Sequence, residues 1–105
     1  MGLGRRKVIW SDEATRELDE AMAYVAAHSP QSAVRLLDRI LSAADTLTSL
    51  AERGRTVPER RNERIRELQV EPYHLIYAVG ASTVVILAGL HQRRDFGRWA
   101  DTGRS

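Results

Sequence analysis

The most apolar stretch of the chain ends in a histidine and two arginines. In ILAGLHQRRDF, His91, Arg93 and Arg94 follow an aliphatic run directly, and Arg66 lies earlier in the segment IREL. An imidazole moves a proton near neutral pH, and guanidinium groups stabilise charge that develops on a phosphate. Metal-free RNA cleavage needs groups of that kind. One must activate the ribose 2′-hydroxyl, a cation must hold the pentacoordinate phosphate, and an acid must protonate the leaving oxygen. Arg66 with Arg93 or Arg94 could supply the cations, His91 the acid or base, and Glu59 an activating carboxylate. Without that chemistry, the same residues form a basic binding surface.

The other candidates have plainer readings. His28 falls at a helix end, where it partners the C-terminal dipole. His74 falls within a strand and is expected to be a half-exposed surface residue, and Arg66 is a residue for an internal carboxylate pair or an edge. Tyr73 and Tyr77 read as core or sheet-surface aromatics. The three histidines have no metal-ligand spacing, so neither a metal nor any other cofactor is expected.

These side chains must be placed by a small number of elements. Lys7–Trp10 (KVIW) reads as a first strand, stopped by Ser11 or Asp12, each a good N-cap. Ala14, Leu18, Ala21, Met22 and Val25 then recur at helical spacing. Ser29 and Pro30 start a second helix, antiparallel to the first, whose stripe of Ala33, Leu36, Leu37, Ile40, Leu41, Ala44, Leu47 and Leu50 is wide enough for a partner helix and a sheet. Gly54 is expected to end it, inside a basic connection, AERGRTVPERRN. From Arg64 the period becomes two: Arg66, Leu68 and Val70 share one face, and Ile65, Glu67 and Gln69 the other. Tyr73, Leu75, Tyr77 and Val79 alternate with His74, Ile76 and Ala78. After Gly80–Ser82, Thr83–Leu90 is nearly continuous in apolar residues, as expected of an internal strand. The fold expected is therefore α+β in the order β-α-α-β-β-β. A helical hairpin covers one face of a small, mostly antiparallel sheet, and a short C-terminal helical turn is anchored by Trp99. Residues around Ile76 and Ala78 on the other face would offer a groove to a partner.

Composition sets the limits. A chain of 105 residues with 43% hydrophobic and 29% charged residues supports one domain over 1–105, with 1–6 and 100–105 expected to be flexible. It has no cysteine, which excludes disulfides and thiolate chemistry. It shows no apolar run of signal or membrane length, so a soluble cytoplasmic domain is expected. Cut after Leu50, the first part has 6 basic and 7 acidic residues and the second 10 and 7, which places the basic bias in the second half.

Together, the order of elements, the GRTVPE loop, the IREL and YHLIYAV strands and the terminal ILAGLHQRRDF resemble the RelE/ParE superfamily of toxins from bacterial type II toxin–antitoxin modules, over about Val8 to Phe96. The resemblance implies a growth-arresting toxin neutralised by a cognate antitoxin in a hetero-oligomer. ParE-type members poison DNA gyrase, whereas RelE-type members cleave mRNA on the ribosome. RelE-like nucleases carry a C-terminal tyrosine, alone or with a histidine, but here Phe96 and Trp99 follow HQRRD and neither ring titrates. The ending is more similar to the ParE branch, where no nuclease constellation is expected. On that reading Arg66, Tyr77, His91, Arg93, Arg94, Phe96 and Trp99 bind the target or partner, and the chain is not an enzyme. The alternatives are the ribosome-dependent nuclease, using Glu59, Arg66, His91 and Arg93, or a non-toxic member that retains antitoxin binding.

Overall fold

The structure, a computed structural model, describes residues 5–57 and 62–91. Five strands form one sheet: β1 (Lys7–Trp10), β2 (Arg55–Thr56), β3 (Ile65–Val70), β4 (Tyr73–Val79) and β5 (Thr83–His91). Their spatial order is β1-β5-β4-β3-β2, with β1 parallel to β5 and every other pairing antiparallel. The α+β arrangement matches the expected one, with the two-residue β2 added at an edge. Glu59, Arg93, Arg94, Phe96, Trp99 and the C-terminal helical turn lie outside the described residues.

Helix α1 (Asp12–Ala26) begins where β1 ends because Ser11 stays extended and its hydroxyl accepts the Ala14 N–H at 3.0 Å. Ser29 does the same for Ser32, and Pro30 occupies the first turn of α2 (Pro30–Asp45). The hairpin lies on one sheet face, α1 mainly against β5 and α2 against β3. Between them sits the main core, where Leu36, Ile40, Leu47, Leu75, Tyr77 and Ile86 are buried. Each large aliphatic taken from water there contributes about 1.5–3 kcal/mol.

One expectation needs correction at the end of an element. The second helix stops at Asp45, well before Gly54, and continues as one 3-10 turn over Thr46–Thr48. There Thr46 Oγ1 donates to the Ala43 carbonyl at 2.6 Å and Thr48 Oγ1 to the Asp45 carbonyl at 3.0 Å, so hydroxyls take over the terminal acceptors. Arg6, just before β1, donates its N–H to Thr48 O at 2.7 Å and its Nε to Gly80 O at 2.8 Å.

Strand β5 contains a bulge. Tyr77 pairs with Ile86 but Ile76 pairs with Ala88, which leaves Leu87 without a partner on β4. Before the bulge Val84 and Ile86 face the helices; after it Ala88 and Leu90 face away, and Gly89 and His91 take the helix side. Helix α1 supplies the hydrogen bonds that the disrupted ladder lacks. Ser11 Oγ donates to Leu87 O at 3.3 Å, and Gly89 N–H donates to Glu17 Oε1 at 2.9 Å.

The face away from the helices carries a second buried cluster of Val57, Ile65, Ile76, Ala88 and Leu90. Ile76, expected to line an open groove there, is completely buried, while Ala78 is half-buried.

Candidate functional site

Three arginines converge on the segment between the 3-10 turn and β2, and each is tied down at one end. Arg66 was expected to meet a carboxylate or snorkel outward. Instead its Nη1 donates to the carbonyls of Glu52, at 3.2 Å, and Gly54, at 2.7 Å. Arg53 Nη1 donates to Thr46 Oγ1 at 2.9 Å. Arg55, largely exposed, donates its Nε to Glu67 Oε2 at 3.1 Å. Two carbonyls of the irregular backbone are thus satisfied by the Arg66 guanidinium from the neighbouring strand, while Arg53 and Arg55 are held by side chains.

Gly54 is the tightest point. Its N–H donates to the buried hydroxyl of Tyr77 at 2.9 Å, and a Cβ on it would meet Glu67 O and Tyr77 Oη, the latter at 2.5 Å. Burial pushes the Tyr77 phenol above its ordinary pKa; the Gly54 hydrogen bond and the nearby Arg66 and Arg53 charges oppose that shift, and Glu52 adds to it. Tyr77, expected at a binding surface, therefore presents no side-chain surface and serves as an internal post.

On the opposite face Glu67 is buried and shares one oxygen between two donors. His74 Nδ1 lies 3.0 Å from Glu67 Oε2, the atom that also accepts from Arg55. Because a carboxylate only accepts, the imidazole proton is assigned to Nδ1. Glu67 Oε1 is buried without a hydrogen-bond partner. His74, expected to be half exposed, is buried, since the antiparallel hairpin folds it diagonally over Glu67 between Gln69 and Leu90. The sequence reading gave Glu67 no role, took Arg53 and Arg55 as part of a basic connection, and took Gly54 as a helix end. The one signal for Glu67 was a carboxylate alternating with Ile65 on a strand.

His91, also on the helix-facing side, packs edge-on against Tyr73, with ring centroids 5.4 Å apart and planes at 86°. It does not join Arg66. β3 and β5 run in the same direction with β4 between them, so Arg66, opposite Tyr77, sits toward one end of the sheet and His91, opposite Tyr73, at the other. The four-residue offset along β4 amounts to about 13 Å. Arg66 and His91, expected near one edge, are thus apart, and the Arg66 guanidinium is turned to the β2 side. His28, past the end of α1, has its Nδ1 3.3 Å from Tyr24 O and its ring against Tyr24. No group of His, Asp or Glu that could hold a metal ion occurs among the described residues, nor does any helix there have the length and apolarity to cross a membrane.

Known proteins share this architecture. Residues 8–96 match the family model for the ParE toxin of the type II toxin–antitoxin system parDE. Y4kP of Sinorhizobium fredii is 31% identical over 96 residues, covering 90% of this chain and 96% of that protein. Toxin RelE2 of Caulobacter vibrioides is 34% identical over 89 residues, covering 84% and 97%. In three dimensions the chain resembles a chain of the chromosomal ParDE TA system from P. aeruginosa, with a TM-score of 0.68 and 22% identity over 83% of this chain and 96% of the other. On the span of the family match and the identity to its relatives, this chain belongs to the ParE family of type II toxin–antitoxin toxins, within the ParE/RelE superfamily.

Proposed function

We propose that this toxin arrests growth from the cytoplasm by binding DNA gyrase, with no chemistry of its own, and that a cognate antitoxin holds it inactive in a hetero-oligomer. The observation that carries the reading is the ParE family match over residues 8–96, which takes in the helical hairpin, the sheet and the terminal HQRRDF motif. The antitoxin is supported by the P. aeruginosa neighbour, a chain of a ParDE toxin–antitoxin system. The separation of Arg66 from His91 gives independent support. A phosphate held by one is out of reach of the other, because the strand register sets the two residues about 13 Å apart along the sheet. On this reading the target meets His91 with Arg93, Arg94, Phe96 and Trp99 of the terminal motif.

A second reading, a RelE-type ribosome-dependent endoribonuclease, is favoured by the name of the Caulobacter relative. Expression of the chain without antitoxin, followed by parallel measurement of plasmid supercoiling, gyrase–DNA cleavage complexes and mRNA integrity, separates the two. Trapped cleavage complexes with intact mRNA are expected. Cut mRNA that His91→Ala or Arg93→Ala abolishes would replace the first reading with the second, and unimpaired growth would reject both.

A further inference from the structure

The excess positive charge of this protein is concentrated in one place. Residues 51–67 hold six arginines and four glutamates, whereas the rest of the chain has ten basic and ten acidic residues, so this segment accounts for the whole formal charge of +2. Its described arginines surround β2, an edge strand. Arg53, Arg55 and Arg64 are exposed, and Arg66 lies beneath them with its guanidinium on the loop carbonyls. One of the four glutamates, Glu67, is buried and already engaged by Arg55 and His74.

Anchoring makes this cluster more than a solvated charge run. Arg55 is held through Nε and Arg53 through one Nη1, so part of their rotamer entropy is already lost, and among the described residues their other guanidinium N–H groups have no hydrogen-bond partner. Between them Thr56 pairs with Arg66 while Val57 N–H bonds Ile65 O at 3.3 Å. In an antiparallel ladder that alternation turns the Thr56 N–H and C=O away from the sheet. The edge therefore offers a backbone N–H flanked by planar cations, Arg55 from the Glu67 face and Arg53 from the helix side, with the Thr56 hydroxyl beside them, the donor set that phosphodiester oxygens accept from.

We infer that the β2 edge, through Arg53, Arg55, Thr56 and Arg64, is a sequence-independent contact for the phosphate backbone of duplex DNA. The choice of duplex DNA rests on the gyrase reading, since gyrase works on DNA; the clustering of charge and the donor geometry do not depend on it. The contact would place the toxin against DNA while its other end meets protein.

The test is the binding of the purified full-length toxin, with no gyrase or antitoxin present, to a fluorescent duplex of about 30 base pairs across a salt series. Single-stranded RNA and an acidic peptide of matched charge are run alongside. With about three phosphates neutralised, raising salt from roughly 50 to 200 mM should weaken binding about 40-fold. Arg53→Gln/Arg55→Gln should cut that dependence to about 4-fold, and Arg64→Gln alone should lower the log–log slope by about one. Among the described residues the exposed Arg64 side chain makes no hydrogen bond or ion pair that Gln would break, so its variant decides the matter if the double variant fails to fold. The inference is overturned if the duplex does not bind, if the slope ignores Arg64→Gln, or if the RNA or peptide binds more tightly at equal salt. Gyrase is absent, so duplex binding that persists in a protein without effect on supercoiling would sink only the gyrase reading.

Discussion

Replacing Gly54 by alanine adds one methyl group at the tightest point of the fold. The new Cβ would sit 2.5 Å from Tyr77 Oη and nearer still to Glu67 O, closer than van der Waals contact permits. Glu67 cannot yield cheaply, because it is paired on one side with Arg55 in β2 and on the other with Ile76 in β4. Overpacking of this kind costs about 1–3 kcal/mol. Relief by moving the loop would pull the Gly54 N–H from the Tyr77 hydroxyl and strand a buried donor and acceptor, at about 1–3 kcal/mol more. The expected total is about 2–6 kcal/mol, a large share of the 5–15 kcal/mol typical of a domain. At about 4–8 °C per kcal/mol, the thermal midpoint should drop by roughly 10–50 °C. Calorimetry and urea unfolding measure the loss, which should appear in the urea midpoint with the m-value unchanged. Combined with Tyr77→Phe, which removes one of the two obstructing atoms, Gly54→Ala should cost less than the sum of the single changes by about 0.5–3 kcal/mol. A Gly54→Ala protein within about 0.5 kcal/mol of the wild type would refute the reasoning, since ordinary surface changes cost no more than that.

Two further outcomes follow from buried polar groups. The Tyr77 phenol titrates above its ordinary value when folded, so the folded state holds its proton where the unfolded chain releases it. Stability from this group is complete below about pH 10 and declines as pH rises from there through the folded pKa. Urea midpoints of wild type and Tyr77→Phe should therefore converge above about pH 10, and parallel curves would contradict the assignment. Glu67→Gln keeps an oxygen for His74 and Arg55 but turns an N–H₂ into the place of the unpartnered Oε1, which should cost about 1–3 kcal/mol by chemical denaturation. A stabilised Glu67→Gln protein would show that the carboxylate is not the acceptor these donors require.

The parts of the fold legible in the sequence are those written in local chemistry. Ser29 caps the helix it was expected to cap, Ser11 is the one of the pair Ser11 or Asp12 that caps the first, and the alternation in Tyr73–Val79 puts Tyr73, Leu75 and Tyr77 on one face, which is the helix side. The overlong second helix arose because Leu47 and Leu50 continue its apolar spacing while the threonine hydroxyls that end it give no comparable signal. Long-range register was not legible. Glu67 and His74 meet across a hairpin, and Arg66 parts from His91 because β3 and β5 run in the same direction; both follow from strand pairing that the residue pattern does not encode. The basic residues were recognised, but the carbonyls and hydroxyl that anchor Arg66 and Arg53 belong to an irregular segment without a period to read.

The bulge at Leu87 works as a parity bit for the last strand. Every side chain beyond it is assigned to the face opposite the one that counting from Val84 would give, at the cost of a single unpaired residue. A position-by-position alignment of this strand with a relative that lacks the extra residue would match letters while exchanging inside for outside from Ala88 onward. His91 is in contact with Tyr73 only because of that inversion. Comparing the terminal motifs of such toxins therefore requires counting ladder rungs first, because identical motifs can point in opposite directions.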